Sequence, residues 1–123
     1  MIVLTFLVRR RREIPAEEFH RYWRDEHGPL VQQYAGTLGI RRYVQLHASG
    51  SELGAFIAST RDCDPGGYDG IAVLWFDDEE ALVAASSTPE GSAAAAALLE
   101  DERRFLDLPR CHIWCNHEEV LVT

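Results

Sequence analysis

The segment from Gly70 to Phe76 reads Gly-Ile-Ala-Val-Leu-Trp-Phe, and it is apolar at both parities. Successive side chains of a strand point to opposite faces of its sheet, so a strand with one wet face alternates apolar with polar residues. Six apolar residues in a row predict a strand covered on both sides. The chain has 123 residues, one domain at the usual ~100–200 residues. That is too short for a (β/α)₈ barrel of about 250 residues, or for a nucleotide-binding domain with a separate substrate domain. Its own helices can cover one face of a sheet. The second face needs a cover from outside, and the simplest is another copy of the same chain. A homodimer with sheet facing sheet is therefore expected.

The other elements follow from pattern and punctuation. Ile2–Val8 is a short run of β-formers ended by arginines, which predicts a first strand. Residues 15–35 predict a helix opened by Pro15, with Glu17 and Glu18 at its positive end. Phe19, Trp23, His27 and Val31 recur every four residues as one apolar stripe, and Gly28-Pro29 predicts a kink or break. Residues 40–47 alternate as a second strand. Residues 48–67 are rich in Gly, Ser, Asp and Pro; a loop of that length is usually functional or hides a helical turn. After the third strand, Asp77 or Asp78 caps a helix, Thr88-Pro89-Glu90 starts another, and Cys111–Val122 closes the chain as a fourth strand. The order β-α-β, loop, β-α-α-β predicts a single-domain (residues 1–123) α+β fold. It is a ferredoxin-like sandwich with a four-stranded antiparallel sheet and helices on one face.

Composition removes whole classes of function. All 12 basic residues are arginine, which excludes lysine Schiff bases and a P-loop lysine. The net charge of −8 argues against nucleic acid or an anionic membrane as partner. The arginine run 9–12 is the exception and reads as a solvated strand end. No apolar run is long enough to span a membrane. The apolar start precedes its arginines rather than following them, unlike a secretory signal, so a cytoplasmic location is expected. Three cysteines make no disulfide framework. Cys111, Cys115 and His117 share one face of a strand, but the two cysteines lie about 13 Å apart at ~3.3 Å per residue, too far to share one zinc ion. No metal site is expected.

Phe19-His20-Arg21-Tyr22-Trp23-Arg24-Asp25-Glu26-His27-Gly28-Pro29-Leu30-Val31 resembles the helix signature of the EthD family. The likeness continues in Arg42-Tyr43-Val44-Gln45, in Tyr68-Asp69-Gly70 with Leu74-Trp75-Phe76, and in Asp101 to Asp107. It implies a dimeric α/β barrel, in which two ferredoxin-like chains face each other through their sheets. Proteins of that fold include cofactor-free monooxygenases of aromatic polyketides, muconolactone isomerases, polyketide cyclases and haem-degrading enzymes. The resemblance thus implies an apolar, aromatic or polyketide-like ligand. With no nucleotide, flavin or haem motif present, no cofactor is expected.

His27 is the candidate catalytic residue. Placed on the buried stripe beside Trp23, it is expected to move a proton in an elimination, cyclisation, isomerisation or cofactor-free oxygenation. The competing reading makes it a buried histidine that fixes the kink through a backbone hydrogen bond. A non-catalytic carrier of a hydrophobic intermediate is the alternative function. Phe6, Phe19, Trp23 and Trp75 are expected to line the ligand cavity between sheet and helices. Tyr43 and His47 share a parity and are expected at the dimer seam or the cavity mouth. Asp101 and Glu102 are candidates for a general acid or base, against the stronger reading that they belong to a charged helix surface, on which Glu100 and Arg104 form an i, i+4 pair.

Overall fold

The computed structural model describes residues 1–123. The β-branched and aromatic runs form four strands: β1 (Ile2–Val8), β2 (Arg42–His47), β3 (Gly70–Phe76) and β4 (His112–His117). They pair antiparallel in the order β2-β3-β1-β4. The helices are α1 (Ala16–Tyr22), α2 (Gly28–Leu38), α3 (Glu52–Ser59), α4 (Glu79–Ser86) and α5 (Pro89–Phe105). This is the ferredoxin-like α+β sandwich expected from the element order. Asp78 caps α4 by accepting from the Ala81 N–H, and Thr88 caps α5 by accepting from the Gly91 N–H.

The register sorts the strand residues into two faces. Ile2, Leu4, Phe6 and Val8 pair with Phe76, Leu74, Ala72 and Gly70, and all of these point toward the helices. The centre of the core there is Val8, Phe19, Trp23, Ala72, Phe105 and Leu106. The other parity, including Leu7, Val44, Leu46, Ile71, Val73 and Trp114, faces away from the helices. Leu46 and Trp114 remain about half exposed, at 50% and 49%. The two apolar faces of β3 are thus real, and this chain covers one of them.

No break occurs at Gly28-Pro29. Residues 23–27 form one wide π-helical turn, in which the Gly28 N–H bonds back five residues to the Trp23 carbonyl, and the helix then continues as α2. Pro29 lacks an N–H, and its ring would crowd the carbonyl four residues back in an ordinary helix; widening the turn accommodates it. The stretch 48–67 holds α3, which buries none of its residues and leaves Leu53, Phe56 and Ile57 exposed.

Gly70 marks a close approach between β3 and the Trp23 ring. A methyl group there would overlap the Leu46 carbonyl oxygen and come within 2.6 Å of the Trp23 ring. Gly70→Ala is expected to cost at least the ~1–3 kcal/mol typical of overpacking. Chemical denaturation of the variant against the parent chain measures this, and an unchanged midpoint would show that Trp23 does not sit on β3.

Candidate active site

The wide turn sets the site. It keeps the stripe in phase, so that Phe19, Trp23, His27 and Val31 are all buried, His27 to 4% exposure. The His27 ring lies 5.0 Å from Phe105 of α5, centroid to centroid. Its Nδ1 meets the Asp101 carboxylate at 2.7 Å. The other oxygen of Asp101 accepts from the Tyr22 hydroxyl at 2.6 Å. A carboxylate only accepts, so Nδ1 carries a proton and neutral His27 presents a lone pair at Nε2. Burial pulls the His27 pKa below its ordinary value, opposed by the bond to Asp101. At neutral pH it is a base.

Asp101 and Glu102 are therefore not the surface charges that their sequence context suggested. Both turn inward from the last turns of α5, and Arg104 approaches Asp101, at 4.0 Å, rather than pairing with Glu100. Glu102 stands 3.9 Å from His27 Nε2, beyond hydrogen-bond reach. Burial, reinforced by the negative charge of Asp101, lifts its carboxyl to about 7. A lone-pair base and a carboxyl that titrates near neutrality thus face each other.

His27 and Glu102 both line a cavity of about 50 Å³, whose other ten lining residues are apolar apart from the hydroxyl of Tyr43. Phe6, Trp23 and Tyr43 are in its wall, as are Leu74, Leu98 and Phe105. Burial pushes the Tyr43 hydroxyl up to about 12, so it stays protonated. A water molecule has about 30 Å³ in the liquid, and a cavity of about 150 Å³ admits benzene. The space holds a water or two, and an aromatic ligand needs the walls to part.

The sequence-derived lining set divides. Phe6, Trp23 and Tyr43 are at the cavity. Phe19 is one layer behind it, fully buried between Trp23 and Phe105 at centroid distances of 5.5 and 5.8 Å. Tyr43 and His47 both face the helices, not the open face where a second sheet would dock. His47 packs on Trp23 at 4.4 Å, its Nδ1 lies 2.7 Å from that of His20, and its Nε2 lies 2.8 Å from Gln45 Oε1. Gln45 in turn donates to the Trp23 carbonyl and the Tyr43 hydroxyl, fixing that side of the cavity. Trp75 requires correction. It shares the parity of Ile71 and Val73, lies on the open face against Arg42, and donates its indole N–H to Glu118. Because β3 is apolar throughout, its pattern carried no parity signal, and Ala72, Leu74 and Phe76 are the inward residues. No group of three His, Cys, Asp or Glu side chains is placed to hold a metal ion.

The sheet order and one-sided helical layer define a ferredoxin-like α+β protein with a His–Asp pair at its core. Residues 11–109 match the EthD domain, and the chain belongs to the EthD family. Its fold is shared with an EthD family protein from Bacillus halodurans at 19% identity, TM-score 0.63, over 97% of this chain and 100% of the other. A dimeric protein of unknown function and ferredoxin-like fold from Bacteroides fragilis matches at 12% identity, TM-score 0.60, over 95% of each chain. An antibiotic biosynthesis monooxygenase matches at 11% identity, TM-score 0.53, over 98% of this chain and 100% of the other. No functionally curated protein matches the sequence. No helix is long and apolar enough to cross a membrane.

Proposed function

We propose that this EthD protein is a small-molecule enzyme in which His27, held by Asp101, moves a proton of an apolar, aromatic or polyketide-like compound. The reaction is a dehydration, cyclisation, isomerisation or cofactor-independent oxygenation, carried out in the cytoplasm. The observation that carries this reading is the 2.7 Å contact of Nδ1 with Asp101. It leaves Nε2 as the basic atom beside a largely apolar cavity, in which Glu102 is the other group that titrates near neutrality. Tyr22 holds the far oxygen of Asp101, so the base is oriented from both ends, as preorganised proton transfer requires. Phe6, Trp23 and Tyr43 form the binding wall, with Phe19 behind Trp23 and His47 beside it; Trp75 belongs to the sheet's open face. A screen of aromatic ketones and lactones by thermal shift tests the reading, since a ligand of the native state raises the melting temperature. Turnover of a hit supports the enzyme. A hit bound equally by parent and His27→Gln, and never converted, points instead to a carrier, the reading that the predominantly apolar cavity wall favours.

The open sheet face supports a homodimer, as does the likeness to a dimeric protein of the same fold. Sedimentation at micromolar concentration is expected to give a species of twice the 13.9 kDa chain mass. A charge placed on that face, as in Val73→Asp, is expected to shift it to monomer, because a carboxylate buried without a partner is expensive. A parent chain that sediments as a monomer would contradict this assembly.

A further inference from the structure

The arginine run that follows β1 does more than end a strand. Arg9, Arg10 and Arg12 converge with Arg110 on a hollow of about 330 Å³ whose remaining lining residues are Gly67 and Asp69. No apolar side chain contributes. Four guanidinium groups face a single carboxylate in a protein of net charge −8. That carboxylate is already used: Asp69 accepts from the Arg10 backbone N–H at 2.8 Å and from its Nη1 at 2.6 Å. Arg110 leans on Asp107 at 3.4 Å. Arg9 has no such partner. Its guanidinium lies over the Tyr68 ring, 4.3 Å from the centroid, and its Nε–H is buried without an acceptor. A buried charged donor without an acceptor is costly and rare. Stacking on an aromatic face holds the fork in one plane, the arrangement that suits guanidinium to bidentate oxyanions. Arg12 is exposed at the rim.

We propose that this hollow binds the phosphoryl group of a small molecule, with Arg9 as its principal ligand and Arg12 and Arg110 closing around it. A carboxylate fills one guanidinium fork. A phosphoryl dianion carries two charges and three acceptor oxygens, and so answers the two guanidinium groups, Arg9 and Arg12, that no carboxylate of the chain neutralises here. The site stands apart from His27 and does not depend on the function proposed above.

Calorimetric titration with inorganic phosphate at about 0.15 M salt tests it, since exposed charges are then screened beyond ~8 Å and diffuse attraction is suppressed. Saturable binding of one phosphate per chain is expected, with acetate binding much more weakly. Arg9→Gln is expected to weaken phosphate binding by about tenfold or more, while Arg24→Gln, remote from the hollow, leaves it unchanged. Should Arg9→Gln fail to fold, Arg12→Gln carries the same direction of change. No saturable phosphate binding, equal affinity for acetate, or full affinity in the folded Arg9→Gln variant would overturn the proposal. So would an Arg9→Gln variant that sediments as a monomer while the parent dimer takes up no phosphate, because the missing acceptor would then be a carboxylate of the second copy.

Discussion

At pH 8, Glu102→Gln is expected to be more stable than the parent chain by about 3 kcal/mol, the equivalent of a carboxyl pKa lifted from 4.5 to about 7. At pH 4 the two proteins should be nearly equal. In the unfolded chain the carboxyl ionises near its ordinary value; in the fold, burial and Asp101 hold its proton longer. Below 4.5 both states carry the proton, and the site costs nothing. Between 4.5 and 7 the folded state binds more protons than the unfolded one, so the stability of the parent falls as pH rises. Above 7 the penalty is complete and constant. Glutamine cannot ionise and never incurs it. His27 acts with the opposite sign: its lowered pKa makes acid pH unfavourable and adds nothing above about 6.5. It is present in both proteins, so it largely cancels in the difference. Urea unfolding of both at pH 4 and pH 8 measures the effect. A variant no more stable than its parent at pH 8 would show that Glu102 is not held in a protonated, apolar setting. A group that costs stability in this way is common where chemistry needs it.

The second large effect concerns rate. On a substrate found by the screen, His27→Ala is expected to lower turnover by about 10²–10⁴-fold, the usual contribution of one general acid–base group. His27→Gln should lose as much, because an amide can still donate to Asp101 but cannot carry a proton near neutral pH. In the parent, activity should fall on the acid side with a midpoint below 6.5, since burial keeps His27 neutral to lower pH than usual. Stability read on the same samples separates this from a structural role. A glutamine variant that retains full turnover per folded molecule would remove His27 from the chemistry, and would leave its bond to Asp101 as a fastening between the wide turn and α5.

The fold was legible because punctuation and periodicity agreed along nearly the whole chain. The capping residues Asp78 and Thr88, the β-branched runs and the four-residue stripe all marked real elements. The site was legible in half. His27 and Trp23 follow from the stripe and Phe6 from its mid-strand position, whereas parity paired Tyr43 with His47 without saying which face of the sheet they take. Asp101 and Glu102 did not follow, because a carboxylate next to arginines in sequence looks solvated, and its burial comes from the packing of α5 on the wide turn, a contact between distant segments. Trp75 misled for the converse reason, as a strand apolar at both parities does not say which side is in. The stripe itself carries one further signal. Residues spaced by four advance about 40° beyond each full turn of an α-helix, so a stripe kept in line over four such residues requires an underwound turn.

That underwound turn also determines which lengths of chain the site tolerates. Arg24, Asp25 and Glu26 are exposed on its outer side, and substitutions there touch nothing in the core. Removing any one of them is a different event. The Gly28 N–H would then reach the Trp23 carbonyl at the ordinary four-residue spacing, so α2 would keep its phase, but the ring of Pro29 would crowd the carbonyl four residues back. Sequence drift at these three positions is therefore free in letter, whereas a shorter segment is compatible with the fold only if Pro29 is replaced as well.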